Sequence, residues 1–150
     1  MNTRLWIPAL VCMAAALSAC NLMAESDWHE ATVANTIAGY ETFLRKHPDN
    51  QHADNARGRI LALRDDHAWR AAQASNSIAG FEGYLKAQSG GVHVGEAKYQ
   101  ITALQRAEAW KAIQSDPSAA SLQAFLALYP QGPESNEARA KLNELGRRHP

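Results

Sequence analysis

WHEATVANTIAGYETFLRKHPDNQHADNARGRILAL, residues 28–63, is followed at 69–104 by WRAAQASNSIAGFEGYLKAQSGGVHVGEAKYQITAL and at 110–145 by WKAIQSDPSAASLQAFLALYPQGPESNEARAKLNEL. Aligned without a gap, the three stretches decide the fold. Trp28, Trp69 and Trp110 recur with a period of 41 in the numbering, and the same ruler joins Leu44, Leu85 and Leu126; Phe43, Tyr84 and Phe125; and Ala56, Ala97 and Ala138. It also joins Ile60, Ile101 and Leu142, and Leu63, Leu104 and Leu145. Self-similarity at a fixed period means that each unit is one supersecondary structure, which buries its apolar face with the help of its neighbours.

Within a unit, positions 37, 40, 44 and 47 and then 53, 56, 60 and 63 recur at helical spacing, and no stretch alternates with period two for long enough to make a strand. The fold class is therefore all-α, a short solenoid of three antiparallel helical hairpins without a sheet, with units at 28–68, 69–109 and 110–150. Trp28, Trp69, Trp110, Leu44, Leu85 and Leu126 are expected to be its packing anchors and not ligand platforms, because a repeated unit must bury its own aromatic residue. Turns fall at Pro48-Asp49-Asn50, Ser89-Gly90-Gly91 and Pro130-Gln131-Gly132-Pro133. Helix starts are expected at Asn35-Thr36, at Ser75-Asn76-Ser77 and at Asp116-Pro117, the last with Asp116 as the cap. Only Gly58 interrupts 52–75 and 93–115 lacks a strong breaker, so two long helices are predicted there, each closing one unit and opening the next. Gly146 reads as the stop of the last helix.

The start of the chain has a different logic. Met1 to Arg4 carry one cation, Leu5 to Leu17 are almost wholly apolar, and Leu17-Ser18-Ala19-Cys20 close the segment. That tripartite pattern is a secretory signal, and its apolar run is shorter than the roughly 20 residues a spanning helix needs. The closing tetrapeptide resembles the lipobox of bacterial lipoproteins. The resemblance implies a signal peptide over 1–19, cleavage before Cys20, diacylglycerol on the Cys20 thiol, and a short tether over 20–27. Several acyl chains make a stable anchor where one alone is marginal. Asn21, where an Asp would retain the product in the inner membrane, directs the expectation to the outer membrane, facing the periplasm.

The repeats themselves resemble the tetratricopeptide-like arrays of bacterial envelope proteins, most closely in Trp110, Phe125, Leu126, Tyr129, Pro130, Gly132, Ala138, Arg139, Leu142 and Leu145. Their length departs from the ordinary 34-residue unit. Similar arrays occur in lipoproteins that serve as scaffolds, so the resemblance implies a protein partner in the envelope; the alternative is a structural or cell-wall-associated lipoprotein without a dedicated protein partner. The sequence leaves the partner, the binding face and the oligomeric state open.

Chemistry is scarce. Fifteen basic and fifteen acidic residues cancel and are dispersed, so no stripe could neutralise successive phosphates and nucleic acid is not an expected partner. Cys12 and Cys20 both precede the repeats, which removes a disulfide framework. His29, His47, His52, His67, His93 and His149 form no metal-ligand motif and are expected as solvated turn or helix-end residues. Asp65 and Asp66 point about 100° apart on a helix and are expected on a solvated face. Gly90, Gly91 and Gly95 lack the Lys that would complete a phosphate loop, and no nucleophile elbow occurs. The reading is a non-enzymatic protein with no catalytic residues, cofactor or metal.

Overall fold

The computed structural model describes residues 22–148. These form seven helices and no strand: α1 over residues 22–34, α2 Ile37–Lys46, α3 Ala53–Ser75, α4 Ile78–Ala87, α5 Val94–Gln114, α6 Ala119–Leu128 and α7 Pro133–Arg148. They divide into two compact units on either side of the His67–Ala68 bond, within α3.

The repeat reappears in the hydrogen bonds that begin and end the short helices. Thr36 Oγ1 accepts from the Gly39 amide at 3.1 Å, Ser77 Oγ from the Gly80 amide at 3.1 Å, and Ser118 Oγ from the Ser121 amide at 3.1 Å. Each satisfies a donor the first helical turn leaves unpaired. Ser121 Oγ in turn accepts from the Ser118 amide at 3.0 Å, a reciprocal capping box. At the far ends His47, Gln88 and Tyr129 donate their backbone N–H to the carbonyls of Phe43, Tyr84 and Phe125. Two expectations need correction here. The cap of α6 is Ser118 and not Asp116, so Pro117 lies before the helix. Gly146 lies inside α7, which runs to Arg148, because a lone glycine lowers helix propensity by only about 1 kcal/mol.

The turns before α2 and α4 place Asn35 and Asn76 at φ 45° and 41°, a left-handed conformation that asparagine tolerates better than most side chains. Asn35 is held there: its Oδ1 accepts from Tyr40 Oη at 3.2 Å and from Arg59 Nη2 at 2.8 Å. The same register in the third stretch is Pro117, whose ring locks φ at a negative value, so that turn is built by residues 115–118 in another way. After α2 and α6, an arginine in the first two turns of the next helix closes the loop. Arg57 donates to the Pro48 carbonyl at 3.1 Å and to Asp54 at 2.7 Å, and Arg139 donates to the Pro130 carbonyl and to Asn136.

Three apolar clusters form the interior. In the first unit Ala31, Tyr40, Phe43, Ala56 and Ile60 are buried, with Trp28, Leu44 and Leu63 against them. In the second unit one cluster is built on Trp69, Ala72, Phe81, Tyr84 and Ala97, with Leu85, Ile101 and Leu104 alongside. The other is built on Trp110, Leu122, Phe125 and Ala138, with Leu126, Leu142 and Leu145. Fully burying one large apolar side chain contributes about 1.5–3 kcal/mol. Ala56, Ala97 and Ala138 are completely inaccessible, so the helices touch there at a distance only a methyl group permits. Within the second unit α5 serves both clusters: Ala97, Ile101 and Leu104 face α4, while Trp110 and Ile113 meet the side chains of α6 and α7.

Candidate interaction surface

Cys20, the expected lipidation site, lies outside the described residues, as does His149. The anchors occupy the interior: Trp69 and Trp110 are buried, Trp28 is half-buried, and Leu44, Leu85 and Leu126 pack on the edges of their clusters.

The histidines depart from expectation. His29 and His67 are exposed, but His47, His52 and His93 are half-buried and engaged. His52 stacks on Trp28 with ring centroids 4.7 Å apart and planes 4° from parallel, and His93 stacks on Trp69 at 4.6 Å and 8°. A flat polar ring over an indole covers apolar surface that a solvated histidine would leave wet. The signal was present in the sequence: His52 follows Trp28 by the same interval as His93 follows Trp69, so the two histidines obey the ruler. The third register carries Glu134, which accepts from Arg106 Nε at 2.6 Å.

His47 and His52 also join α1 to the turn after α2. Asp27 accepts from Lys46 at 2.9 Å and lies 2.7 Å from His47 Nε2; Glu25 accepts from Gln51 at 2.9 Å and lies 3.2 Å from His52 Nε2. Hydrogen bonds from Gln51 and His52 hold the Glu25 carboxyl below its ordinary range, and those from His47 and Lys46 do the same for Asp27. For Glu134, burial pushes the carboxyl up, but its own backbone amide and the Arg106 guanidinium outweigh that and leave it lowered. Asp65, expected on a solvated face, is buried near the middle of α3; it and half-buried Asp66 both have interaction partners. Among the described residues no group of three or more His, Cys, Asp or Glu side chains is placed to hold a metal ion.

What is left at the surface repeats as well. Between α1 and α2 runs a groove of about 270 Å³ whose floor is Ala31 and Phe43 and whose walls include Ala34, Ala38 and Gly39. Asp27, Glu30 and Lys46 stand at its margin. In the second unit a groove of about 270 Å³ is lined by Ala68, Ala71, Ala72, Gly80, Gly83 and Tyr84. Each of those six follows a residue of the first groove by one full repeat, but Asp27, Glu30 and Thr42 have become Ala68, Ala71 and Gly83. The grooves exist because the helices meet through alanine and glycine. At Gly80 nothing larger fits, since a Cβ would lie 2.6 Å from Ser75 Oγ.

Comparison with protein-family models, with curated proteins and with solved structures finds no match.

Proposed function

We propose that the chain is a non-enzymatic adaptor of the bacterial outer membrane, a three-unit tetratricopeptide-like solenoid held by lipid on Cys20 and presenting a periplasmic face to another envelope protein. One observation carries the reading: a shallow groove recurs at the surface with the period of the repeat, charged at the margin in the first unit and without charge in the second. Grooves lined by alanine and glycine let a second backbone approach closely, and side chains that reach over from a partner find no bulky obstacle there. None of the described helices is long and apolar enough to cross a membrane, which is compatible with attachment through lipid. The engaged histidines and carboxylates are absorbed in hydrogen bonds and stacks, which accounts for these titratable groups without invoking a reaction.

The test is site-specific photocrosslinking in the full, lipidated chain, with the probe placed at Thr42 and, separately, at its repeat equivalent Gly83. A single envelope protein captured at both positions, and lost in a Cys20→Ala variant, supports the adaptor. Absence of any adduct at both positions, with Cys20 unlabelled by a palmitate analogue, overturns it.

A further inference from the structure

The ruler of the repeat extends further back than the first tryptophan. Leu22, Leu63, Leu104 and Leu145 stand one full period apart. Leu63, Leu104 and Leu145 each pack against the aromatic cluster of the hairpin that their helix closes. Leu22 holds the same register in α1, yet it is 73% exposed, and Met23 beside it is 68% exposed. Among the described residues they are the only exposed large apolar side chains adjacent in sequence.

This end of α1 is stiff. The stretch expected as a tether is helical from residue 22 onward, and Ala24, in the first turn, is buried. Glu25 accepts from Gln51 and contacts His52, while Asp27 accepts from Lys46 and contacts His47. The end of α2 and the turn behind it thus clasp the first two turns of α1. Past Met23 the next exposed positions, Glu25, Ser26, His29 and Glu30, are polar, so the apolar surface is a tip and not the stripe of a helix that lies flat on a membrane.

Two occupants suit an apolar tip, a second copy of the chain and a lipid surface. Distance favours lipid. Cys20 stands two residues before Leu22, and an extended chain spans at most about 3.6 Å per residue, so the two backbones lie within about 7 Å of each other. The layer between the hydrocarbon core and water is roughly 5–8 Å thick on each side of a bilayer. A diacylglycerol on the Cys20 sulfur sits at the inner boundary of that layer, which holds Leu22 and Met23 where their side chains reach into it.

We propose that the first turn of α1 is a membrane-contact surface: Leu22 and Met23 enter the interfacial layer beside the anchor and seat the first hairpin end-on against the bilayer. The inference rests on lipidation of Cys20 in the adaptor reading. The experiment is electron paramagnetic resonance of the full, lipidated chain in vesicles of phosphatidylethanolamine and phosphatidylglycerol. A nitroxide is placed at Met23→Cys, at Asp49→Cys or at Val33→Cys in turn; the Cys20 sulfur, a thioether, takes no label. Val33 is the control, exposed and apolar as well but about 15 Å farther along the helix. The ratio of oxygen collisions to collisions with a water-soluble nickel chelate should be several-fold higher at Met23 than at Val33, with Asp49, in the clasped turn, between them. Leu22→Ser with Met23→Ser, at exposed positions, should bring the Asp49 value down to that of Val33 with the thermal melt unchanged. With palmitate analogue present on Cys20, a Met23 label as wet as Val33, or an Asp49 label unmoved by the serine pair, overturns the membrane contact and leaves the anchor standing. Broadening between nitroxides at Met23 that persists when the vesicles are diluted with lipid identifies a second copy as the occupant and overturns it too. A Cys20 without lipid removes the adaptor reading and this inference together.

Discussion

Replacing Gly132 by alanine tests how tightly the last turn is built. Gly132 has φ +126°, a region L side chains rarely enter, and an added Cβ would lie 2.6 Å from Arg106 Cζ and 2.7 Å from its Nε. Two contributions follow. Forcing a non-glycine residue into that conformation costs about 1–3 kcal/mol. Pushing the guanidinium aside breaks a 2.6 Å hydrogen bond between two side chains only 13% and 21% exposed, and a bond to a charged group contributes about 1.5–3 kcal/mol. The sum is about 2.5–6 kcal/mol, which lowers the melting temperature of a chain of this size by roughly 5–25 °C. The assay is thermal denaturation followed by circular dichroism, with two companions. In an Arg106→Ala background only the backbone contribution remains, so Gly132→Ala should then destabilise by about 1–3 kcal/mol. Gly146→Ala, in a helix where a Cβ meets nothing within 4 Å, should stabilise by up to about 1 kcal/mol. A Gly132→Ala variant that melts close to the parent would refute the reasoning, as would an unchanged penalty in the Arg106→Ala background.

Leu122→Ala empties a site with no solvent exposure and should destabilise by about 2–5 kcal/mol in denaturant titrations, whereas Leu128→Ala, at an exposed leucine, should change stability by less than about 0.5 kcal/mol. Asn76→Gly should be close to neutral and Asn76→Ala destabilising by about 1 kcal/mol, since φ 41° suits glycine and not alanine; equal melting temperatures for the two would be the contrary result. Glu25 and Asp27 have carboxyls lowered by their hydrogen bonds, so their contribution is present above the ordinary carboxylate range and is lost as pH falls through the depressed folded values. The protection of the α1 amides, taken relative to intrinsic exchange at each pH, should therefore fall on acidification, and a Glu25→Gln, Asp27→Asn double variant should flatten that dependence.

The helical class, the long helices α3 and α5 and the membership of the three clusters were legible because they rest on periodicity, which survives in a bare sequence. The ruler carries Trp69, Phe81, Tyr84 and Ala97 into one cluster and Trp110, Leu122, Phe125 and Ala138 into another. Helix starts were legible as the polar clusters Asn35-Thr36 and Ser75-Asn76-Ser77, within which Thr36 and Ser77 prove to be the caps, and misread at Asp116, where the cap is Ser118. Proline at position 117 suggests the first helical turn, but only the path of the chain decides whether its ring stands inside the helix or before it. The histidine stacks, the Arg106–Glu134 pair and burial of Asp65 were not read, because each depends on residues far apart in sequence or on a helix face that charge alone mislabels.

The long helix α5 has a consequence for how the second unit comes apart. Its first half belongs to the cluster of Trp69 and its second half to the cluster of Trp110, so the two clusters share one continuous ladder of backbone hydrogen bonds. A hairpin that frays from either end reaches a helix whose other half is still held. Opening is then graded along the rod and not confined to one module, and amide protection should peak near its middle, around Leu104 to Arg106, falling away toward both ends. Since the partners within each cluster lie within one repeat of each other in the chain, the unit has little loop entropy to overcome and should refold rapidly. For the exported adaptor proposed above, which would cross one membrane unfolded and assemble at its destination, contacts that the nearest residues make first are an advantage.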